Sequence, residues 1–297
     1  GKTTNKQMLL HCLENSYATK GNFNGLLGLP ITLSHLDKES ETAILELGTD
    51  EVGNIFKLTS IAKPDIAIVT SIGPAHLESF KTMDNIISEK LSIARGLNDN
   101  GCLIIPHNLF HIASQVTNKT IKSVSIDNNE ATSFVESIDG NTINASIIGQ
   151  SISFKLDDTA SHKILNSLIC LTVMHTLGLD LEKMADKITN FEAPEGRGQI
   201  VKLGNNVTLI DESYNANPLS MRKAFESFNN HTAESKYAIL GDMLELGPDE
   251  VLLHKQIANY IKDVKMVYTV GSIMYNLHEE LLNQDIKTKH FVNSDEL

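Results

Sequence analysis

Short apolar segments alternate with helical patterns along the first third of the chain, and this alternation restricts the possible folds more than any other feature. Residues 43–47, 65–70 and 102–105 are apolar runs of the kind found in buried strands. Between the last two runs, apolar residues recur over 84–97 with the spacing of one helical face. Strands that alternate with helices predict a parallel sheet whose faces are covered by helices.

The pattern changes in the middle of the chain. Over 120–158 the segments are short and alternate with a period of two, which predicts antiparallel hairpins at the edge of the sheet. A long apolar helix is expected over 161–177, where Gly178 ends it.

A turn-rich segment at 194–198 predicts the start of a second unit, in which strands alternate with helical patterns again. The strands expected there are 207–211, 237–240 and 266–270. We therefore predict an α/β protein with a P-loop-type, mostly parallel sheet flanked by helices, followed by a second, Rossmann-like α/β domain.

Composition excludes several classes of function. The 297 residues carry 25 Lys and Arg against 37 Asp and Glu, a net charge of −12. A nucleic acid or an anionic membrane surface as main partner would require a basic patch. No apolar run approaches the length of a membrane helix. Three separated cysteines predict free thiols in a reducing, cytoplasmic compartment.

The chain opens with Gly1-Lys2-Thr3-Thr4, and a helical pattern of apolar residues follows. These residues match the end of a phosphate-binding loop, Gly-x-x-x-x-Gly-Lys-[Ser/Thr]. In that loop, backbone N–H groups hold phosphates, the Lys reaches the β and γ oxygens, and the hydroxyl binds Mg²⁺. Four residues also fit the plain start of a helix, so both interpretations stay open at this point.

Two polar residues stand where strands of the predicted sheet end. Glu46 lies in the apolar run 43–47, and His76 follows the run 65–70. Parallel sheets bind ligands at the carboxyl ends of their strands, so Glu46 could complete Mg²⁺ coordination beside the phosphate loop. The alternatives are an acid facing solvent at a sheet edge and a structural or solvated histidine.

Lys90 interrupts the apolar face of the helical pattern over 84–97, with Ile86 and Ala94 four residues to either side. In one interpretation the stem covers the core while the amine reaches water. In the other, the amine is partly buried with a lowered pKa, and its neutral form can act as a nucleophile.

The second unit holds two further candidate segments. Arg197 lies between Gly196 and Gly198 at the joint, where it could reach a phosphate or be a surface Arg. Asp211 ends the strand 207–211 and resembles the acid of a motor-type ATPase. The polar turn at 214–218 suits the hydroxyls or base of a ligand.

Taken together, these motifs resemble those of the Mur ligase family, and their order and spacing agree along almost the whole chain. The matching segments are Gly1-Lys2-Thr3-Thr4, Gly21-Asn22-Phe23-Asn24, Gly28-Leu29-Pro30, Glu46-Leu47-Gly48-Thr49, Ile72-Gly73-Pro74-Ala75-His76-Leu77-Glu78, Lys90, Gly196-Arg197-Gly198, Asp211-Glu212-Ser213-Tyr214-Asn215-Ala216-Asn217-Pro218 and Gly241-Asp242-Met243-Leu244-Glu245-Leu246-Gly247. The last two are typical of members that add D-alanyl-D-alanine to the peptidoglycan precursor.

The resemblance implies a set of site residues. The implied catalytic residues are Lys2, Lys90 and His76. Those implied to bind ATP are Gly1, Lys2, Thr3, Thr4, Asn166, Arg197, Asp211 and Asn217. The implied ligands of two Mg²⁺ ions are Thr3, Glu46, His76 and Lys90, the last as a carbamylated lysine whose added CO₂ provides an anionic oxygen. The implied contacts with the muramoyl-peptide substrate are Thr19, Asn22 and Asn24.

The implied reaction is ATP-driven amide bond formation in cytoplasmic peptidoglycan synthesis. A carboxylate of UDP-MurNAc-tripeptide attacks the γ-phosphate of ATP to give an acyl phosphate and ADP, and the amine of D-Ala-D-Ala then displaces phosphate. The resemblance implies no nucleic acid and no membrane insertion, and we expect a monomer. We expect a central ATP-binding domain over 1–193 and a Rossmann-like carboxyl-terminal domain over 194–297.

The chain departs from the family pattern at two places. Asn24-Gly25 stands where the family usually has two adjacent Asn, and His162-Lys163 stands where it has His-Asn, although Asn166 fits the later Asn. We also expect a fragment, because the UDP-binding domain, the start of the phosphate loop and a closing Lys-Gly-Ser segment are not in the chain. The alternatives are another Mur ligase, a folylpolyglutamate synthase-like ligase, or a non-catalytic nucleotide-binding module.

Overall fold

A computed structural model of the chain describes residues 1–74 and 76–297. Ala75, part of the motif at 72–78, lies outside the described residues. The strands are β1 (Ser16–Ala18), β2 (Thr42–Ile44), β3 (Ile66–Ile68), β4 (Cys102–Pro106), β5 (Thr120–Ser125), β6 (Ser133–Asp139), β7 (Thr142–Ile147), β8 (Gln150–Lys155), β9 (Gln199–Leu203), β10 (Val207–Asp211), β11 (Tyr237–Gly241), β12 (Met266–Val270) and β13 (Thr288–Phe291).

The helices are α1 (Lys2–Cys12), α2 (Gly28–Ser34), α3 (Asn54–Ala62), α4 (Leu77–Phe80), α5 (Met83–Leu91), α6 (Phe110–Val116), α7 (Ser161–Thr176), α8 (Leu181–Thr189), α9 (Pro218–Asn230), α10 (Glu250–Gln256) and α11 (Tyr275–Asn283). A 3₁₀ segment, Ser92–Gly96, continues α5. Among the described residues, every helix is too short or too polar to span a membrane.

The chain forms two compact units. The first consists of residues 1–72 and 84–192, and the second of residues 73–83 and 193–297. The short segment 73–83, which contains α4, therefore belongs to the second unit although it lies within the first in sequence.

The main sheet of the first unit has the strand order β3-β4-β5-β6-β7-β8. The pairs from β3 to β6 are parallel, and the last two pairs are antiparallel. Every residue of β4 is buried. Ile104 packs into one hydrophobic cluster, with α1, α7 and α8, while Leu103 and Ile105 pack into another. A parallel strand covered on both faces needs apolar residues at every position, which explains the unbroken run at 102–105.

A separate pair of parallel strands, β1 and β2, lies beside α1 in the first unit. The strand predicted over 43–47 ends earlier than expected, since β2 ends at Ile44. Beyond Ile44 the N–H of Glu46 donates to a side-chain oxygen, Thr19 Oγ1, at 3.0 Å, and not to the backbone of a neighbouring strand. Glu46 therefore lies just beyond the carboxyl end of its strand.

The second unit contains the antiparallel ribbon β9–β10 and the parallel sheet β11-β12-β13. Its own hydrophobic core includes Phe225 of α9, Val267 of β12 and Leu277 of α11. The strand β13 was not predicted, because three of the four residues of Thr288–Phe291 are polar and only Phe291 is buried.

The predicted fold class is confirmed: mostly parallel strands flanked by helices, with antiparallel hairpins at one edge of the main sheet. The long helix also matches, since α7 spans Ser161–Thr176 and Gly178 follows it with φ of +75°. Cys12, Cys102 and Cys170 are free and buried. Burial raises the pKa of Cys12 to about 11, so this thiol stays protonated and unreactive at neutral pH.

Candidate active site

The phosphate-loop residues lie at the amino terminus of a helix. Gly1 is the N-cap of α1, and Lys2, Thr3 and Thr4 form its first turn. Gly1 lies against the end of β3, since a Cβ added to it would be 2.9 Å from Thr70 Oγ1. The first N–H groups of a helix lack partners within the helix, and together with the helix dipole they favour a phosphate.

A buried polar contact fixes this helix to α7. The side-chain amide of Asn5 donates to Asn166 Oδ1 at 2.8 Å and to the carbonyl of Gly1 at 2.9 Å. Asn5 and Asn166 are both buried. The predicted ATP residue Asn166 therefore helps to hold the start of α1, where the phosphate-loop residues are.

Glu46 lies in a pocket of polar contacts formed by the loop that follows β1. The side-chain amide of Asn24 donates to Glu46 Oε1 at 2.9 Å, and Thr19 accepts from the Glu46 backbone as described above. The N–H of Gly48 donates to the carbonyl of Asn24 at 2.8 Å. Two of the three predicted substrate residues are thus in contact with the predicted metal ligand. The third, Asn22, accepts from Asn24 N–H in the same turn.

The other oxygen of the Glu46 carboxylate, Oε2, is buried and accepts no hydrogen bond. It lies 3.4 Å from the Nζ of Lys6, on the second turn of α1. Neither the motifs nor the spacing of the sequence singled out Lys6. The available signal was its position four residues after Lys2, which places the two on one face of the helix.

Lys90 is half-buried near the end of α5. Burial, with repulsion from Lys2, lowers the pKa of the Lys90 amine to about 8, and Glu89 partly opposes the shift. The repulsion shows that the charges of Lys2, on the phosphate-loop helix, and Lys90, on α5, act on each other. The interpretation of Lys90 as a partly buried amine is thereby favoured over a solvated one.

Glu89, beside Lys90, was not predicted as part of the site. Its carboxylate is buried and accepts from the N–H groups of Gly53 at 2.6 Å and Ile55 at 2.7 Å, and from the hydroxyl of Thr49 at 3.1 Å. It therefore caps the amino terminus of α3 and holds the loop that follows Glu46.

In the second unit, His76 contacts the loop at 241–247. Its Nδ1 is hydrogen-bonded to a carboxylate oxygen of Glu245. Both residues have positive φ, +52° for His76 and +61° for Glu245. Asp242 of the same loop accepts from the N–H groups of Ile273 at 3.1 Å and Met274 at 2.7 Å, and so fixes the loop to the start of α11.

The Gly196-Arg197-Gly198 segment is bonded to the segment that begins at Asp211. The carboxylate of Asp211 accepts from the N–H groups of Gly196 and Ser213, both at 3.0 Å. Hydrogen bonds from Ser213 are the main cause of the lowered pKa of Asp211. The Arg197 guanidinium lies 3.7 Å from the centre of the Tyr214 ring, in a cation–π contact.

Glycine is required at position 196. Its φ is +69°, and an added Cβ would lie 2.9 Å from the Cβ of Tyr214. Further along, Asn217 is the N-cap of α9 and forms a capping box with Ser220. The cap uses the side-chain oxygen of Asn217, so its amide nitrogen is the group that could donate to a ligand.

The structure thus describes two groups of predicted site residues. The first unit holds Gly1, Lys2, Thr3, Thr4, Thr19, Asn22, Asn24, Glu46, Lys90 and Asn166. The second holds His76, Arg197, Asp211 and Asn217. The residue roles, and the domain boundaries at 193 and 194, stay predictions.

The first group fits a Mg²⁺ ion. A buried carboxylate oxygen without a hydrogen-bond donor, Glu46 Oε2, is the type of ligand that Mg²⁺ prefers. Within 1–74 and 76–297, no three His, Cys, Asp or Glu side chains are grouped so that they could hold a metal by themselves. Mg²⁺ in nucleotide sites usually has one or two carboxylates and takes its other ligands from phosphates and water.

Known proteins are similar along the whole chain. A family model described as the Mur ligase middle domain matches residues 1–174, and one described as the Mur ligase, glutamate ligase domain matches residues 196–297. The UDP-N-acetylmuramoyl-tripeptide–D-alanyl-D-alanine ligase of Rickettsia prowazekii is 32% identical over 316 aligned positions, which cover 100% of this chain and 69% of that protein.

Two solved structures are also similar. A crystal structure of MurF from Acinetobacter baumannii matches with a TM-score of 0.89 and 26% identity, over 100% of this chain and 66% of that one. The MurF ligase of Thermotoga maritima in complex with ADP has a TM-score of 0.85 at 24% identity, over 99% of this chain and 68% of that one. The chain thus spans about two thirds of the length of these proteins. Since the first family model covers more than half of it, the chain belongs to the Mur ligase family.

Proposed function

We propose that the chain is the ATP-binding and catalytic part of a ligase that joins D-Ala-D-Ala to UDP-MurNAc-tripeptide. The relatives named above support the substrates. In the molecule itself, the main support is the arrangement at the start of α1, where Lys2 lies at a helix amino terminus and its charge helps to lower the pKa of the partly buried amine of Lys90. An exposed cation at the amino terminus of a helix suits a nucleotide polyphosphate.

In the proposed reaction, the N–H groups of the first turn of α1 donate to phosphate oxygens and Lys2 offsets their charge. The tripeptide carboxylate attacks the γ-phosphorus, the bond to the bridging oxygen breaks, and ADP leaves. The amine of D-Ala-D-Ala then attacks the acyl phosphate, and phosphate leaves as the amide forms. Thr19, Asn22 and Asn24 are proposed to position the tripeptide, and Arg197, Asp211, Asn166 and Asn217 the nucleotide.

We propose that Thr3, Glu46, His76 and a carbamylated Lys90 hold Mg²⁺. When bound, Mg²⁺ would offset negative charge on the transferred phosphoryl group. The neutral amine of Lys90 attacks CO₂ and loses a proton, which gives a carbamate with an anionic oxygen. The lowered pKa of Lys90 supports this step, since only the neutral amine is nucleophilic.

We further propose a middle domain over 1–193 and a carboxyl-terminal domain over 194–297, in a monomeric enzyme of cytoplasmic peptidoglycan synthesis. We propose that Asp211 also holds the segment around Arg197 in place, because its carboxylate accepts from the N–H groups of Gly196 and Ser213.

The test is phosphate release by the full-length protein with ATP, Mg²⁺, UDP-MurNAc-tripeptide and D-Ala-D-Ala, each omitted in turn. Release that requires both the carboxylate and the amine substrate is expected. Release that is indifferent to both would indicate a general ATPase, and nucleotide binding without any release would indicate a binding module. A panel of other amino-acid acceptors separates this ligase from other Mur ligases and from folylpolyglutamate synthase-like enzymes.

A further inference from the structure

Lys6 and Glu46 form a buried ion pair next to the phosphate-loop helix. Their side chains are 3% and 6% exposed, and Lys6 Nζ lies 3.4 Å from Glu46 Oε2. The Lys6 ammonium also donates to the carbonyl of Gly21 at 3.4 Å. Both groups are thus removed from bulk water.

Each charge of this pair reduces the unfavourable free energy of burying the other. A buried carboxylate without a counter-ion is strongly unfavourable, and removal of one partner of a buried pair is more destabilising than replacement of both. Glu46 Oε1 has a neutral donor in Asn24, whereas the charge at Oε2 is offset by Lys6. The Lys6 ammonium therefore lies beside the one oxygen of this carboxylate that accepts no hydrogen bond.

We propose that Lys6 is a positioning residue for Glu46: its ammonium orders the carboxylate before the cation arrives, and it competes with a free cation for Oε2. The inference rests on the proposed function, in which Glu46 is a Mg²⁺ ligand. Free Mg²⁺ must then overcome the charge of Lys6, whereas Mg²⁺ that arrives with the negative charges of ATP is less affected. Lys6 thereby makes cation binding depend on the nucleotide.

The test measures Mn²⁺ binding by the full-length protein, from the electron paramagnetic resonance signal of free Mn²⁺, with and without ATP. Lys6→Met removes the charge at similar length, Lys6→Arg keeps it, and Lys20→Met makes the same charge change at an exposed position. Without ATP we expect Lys6→Met to bind Mn²⁺ at least about threefold more tightly than wild type, because a nearby positive charge is gone. Lys6→Arg and Lys20→Met should bind as wild type does, and ATP should reduce the difference.

A double-mutant cycle supplies a second readout that does not need the cation. In EDTA, Lys6→Met should lower Tm much more in the wild-type background than in Glu46→Gln, where no buried carboxylate is left uncompensated. If Lys6→Met alone does not fold, the measurements on Glu46→Gln and on the double variant still test the coupling, which predicts a double variant about as stable as Glu46→Gln.

Unchanged or weaker Mn²⁺ binding in Lys6→Met, or equal losses of Tm in both backgrounds, would overturn the inference. Its failure can be told from that of the proposed function. If Glu46→Gln leaves Mn²⁺ binding in the presence of ATP unchanged, the proposed role of Glu46 is wrong. If Glu46→Gln abolishes binding while Lys6→Met changes nothing, only the role of Lys6 is wrong.

Discussion

At the scale of single residues, burial and charge act on Lys90 in the same direction. Burial disfavours the ammonium form, Lys2 repels it, and the pKa of the amine falls to about 8. An ordinary Lys, with a pKa near 10.4, has almost no neutral amine at neutral pH. Lys90 therefore has the reactivity that carbamate formation needs without a separate base.

We predict that the carbamate on Lys90 forms in a pH-dependent way. The neutral fraction of the amine should rise from about a tenth at pH 7 to about half at pH 8, so at a fixed concentration of dissolved CO₂ the rate of carbamate formation rises with pH in this range. The measurement is the carbonyl signal of the carbamate in ¹³C NMR after addition of ¹³C-bicarbonate. Lys90→Arg should lack the signal, and an exposed-site control, Lys57→Arg, should keep it; a signal that survives in Lys90→Arg contradicts the assignment.

We also predict that Lys2→Ala or His76→Ala in the full-length protein abolishes ATP-dependent ligation. Lys2→Ala removes the charge that stabilises the transferred phosphoryl group, and His76→Ala removes a proposed Mg²⁺ ligand. Phosphate release with both substrates present is the measurement, and the unfolding midpoint serves as the control for folding. Full activity in a folded variant would remove that residue from the site.

The site was only partly predictable from the sequence, for a physical reason. Glu46 and Lys90 are visible because each is a charged residue that interrupts a local apolar pattern. Lys6 and Glu89 take their roles from partners that are distant in sequence: Lys6 meets Glu46, and Glu89 meets the N–H groups of Gly53 and Ile55. Local periodicity carries no information about such pairs.

At the scale of elements, one carboxylate joins two helices. Glu89, on α5, satisfies two N–H groups at the amino terminus of α3 and the hydroxyl of Thr49. A carboxylate at a helix amino terminus is favoured both by the orphan donors and by the helix dipole. The helix that carries Lys90 is thereby fixed to the loop that follows Glu46.

We predict that Glu89→Gln lowers the free energy of unfolding by about 1–3 kcal/mol, because one acceptor oxygen becomes an amide donor facing buried N–H groups. Denaturant unfolding measures the change. Glu130→Gln, at an exposed position, is the matched control and should change it by less than about 0.5 kcal/mol. Equal effects of the two substitutions would show that the cap does not contribute.

Helices and strands were predicted correctly where the apolar pattern is long or where both faces of a strand are buried. The helix α7 and the strand β4 agree with the predicted segments because their apolar residues are dense. The end of β2 and the strand β13 could not be predicted. Beyond β2 the Glu46 N–H donates to a threonine side chain instead of to a strand, and three of the four residues of β13 are polar because the strand is only partly buried.

At the scale of the whole molecule, each unit has its own hydrophobic core. Leu168 belongs to the core of the first unit and Leu277 to that of the second, and both are fully buried. A unit with its own core can in principle unfold by itself.

We predict that calorimetry resolves two unfolding transitions. Leu168→Ala should lower the midpoint of one and Leu277→Ala that of the other, each by a loss of about 2–5 kcal/mol from a buried cavity. An exposed leucine in each unit, Leu27 and Leu244, supplies the control substitutions to Ala. A single transition that both core substitutions shift equally would contradict independent unfolding.

Residues 73–83 are separated in sequence from the rest of the second unit, and this limits which recombination events between related genes can exchange the whole unit. The chain passes between the units after Ile72, after Met83 and after Glu192. A single recombination event near residue 193 between two related genes would exchange most of the second unit but leave the segment with His76 behind. The chimera would then pair His76 from one parent with Glu245 from the other. We infer that these two stretches must be exchanged together, or must change in step, for a hybrid ligase to retain this contact.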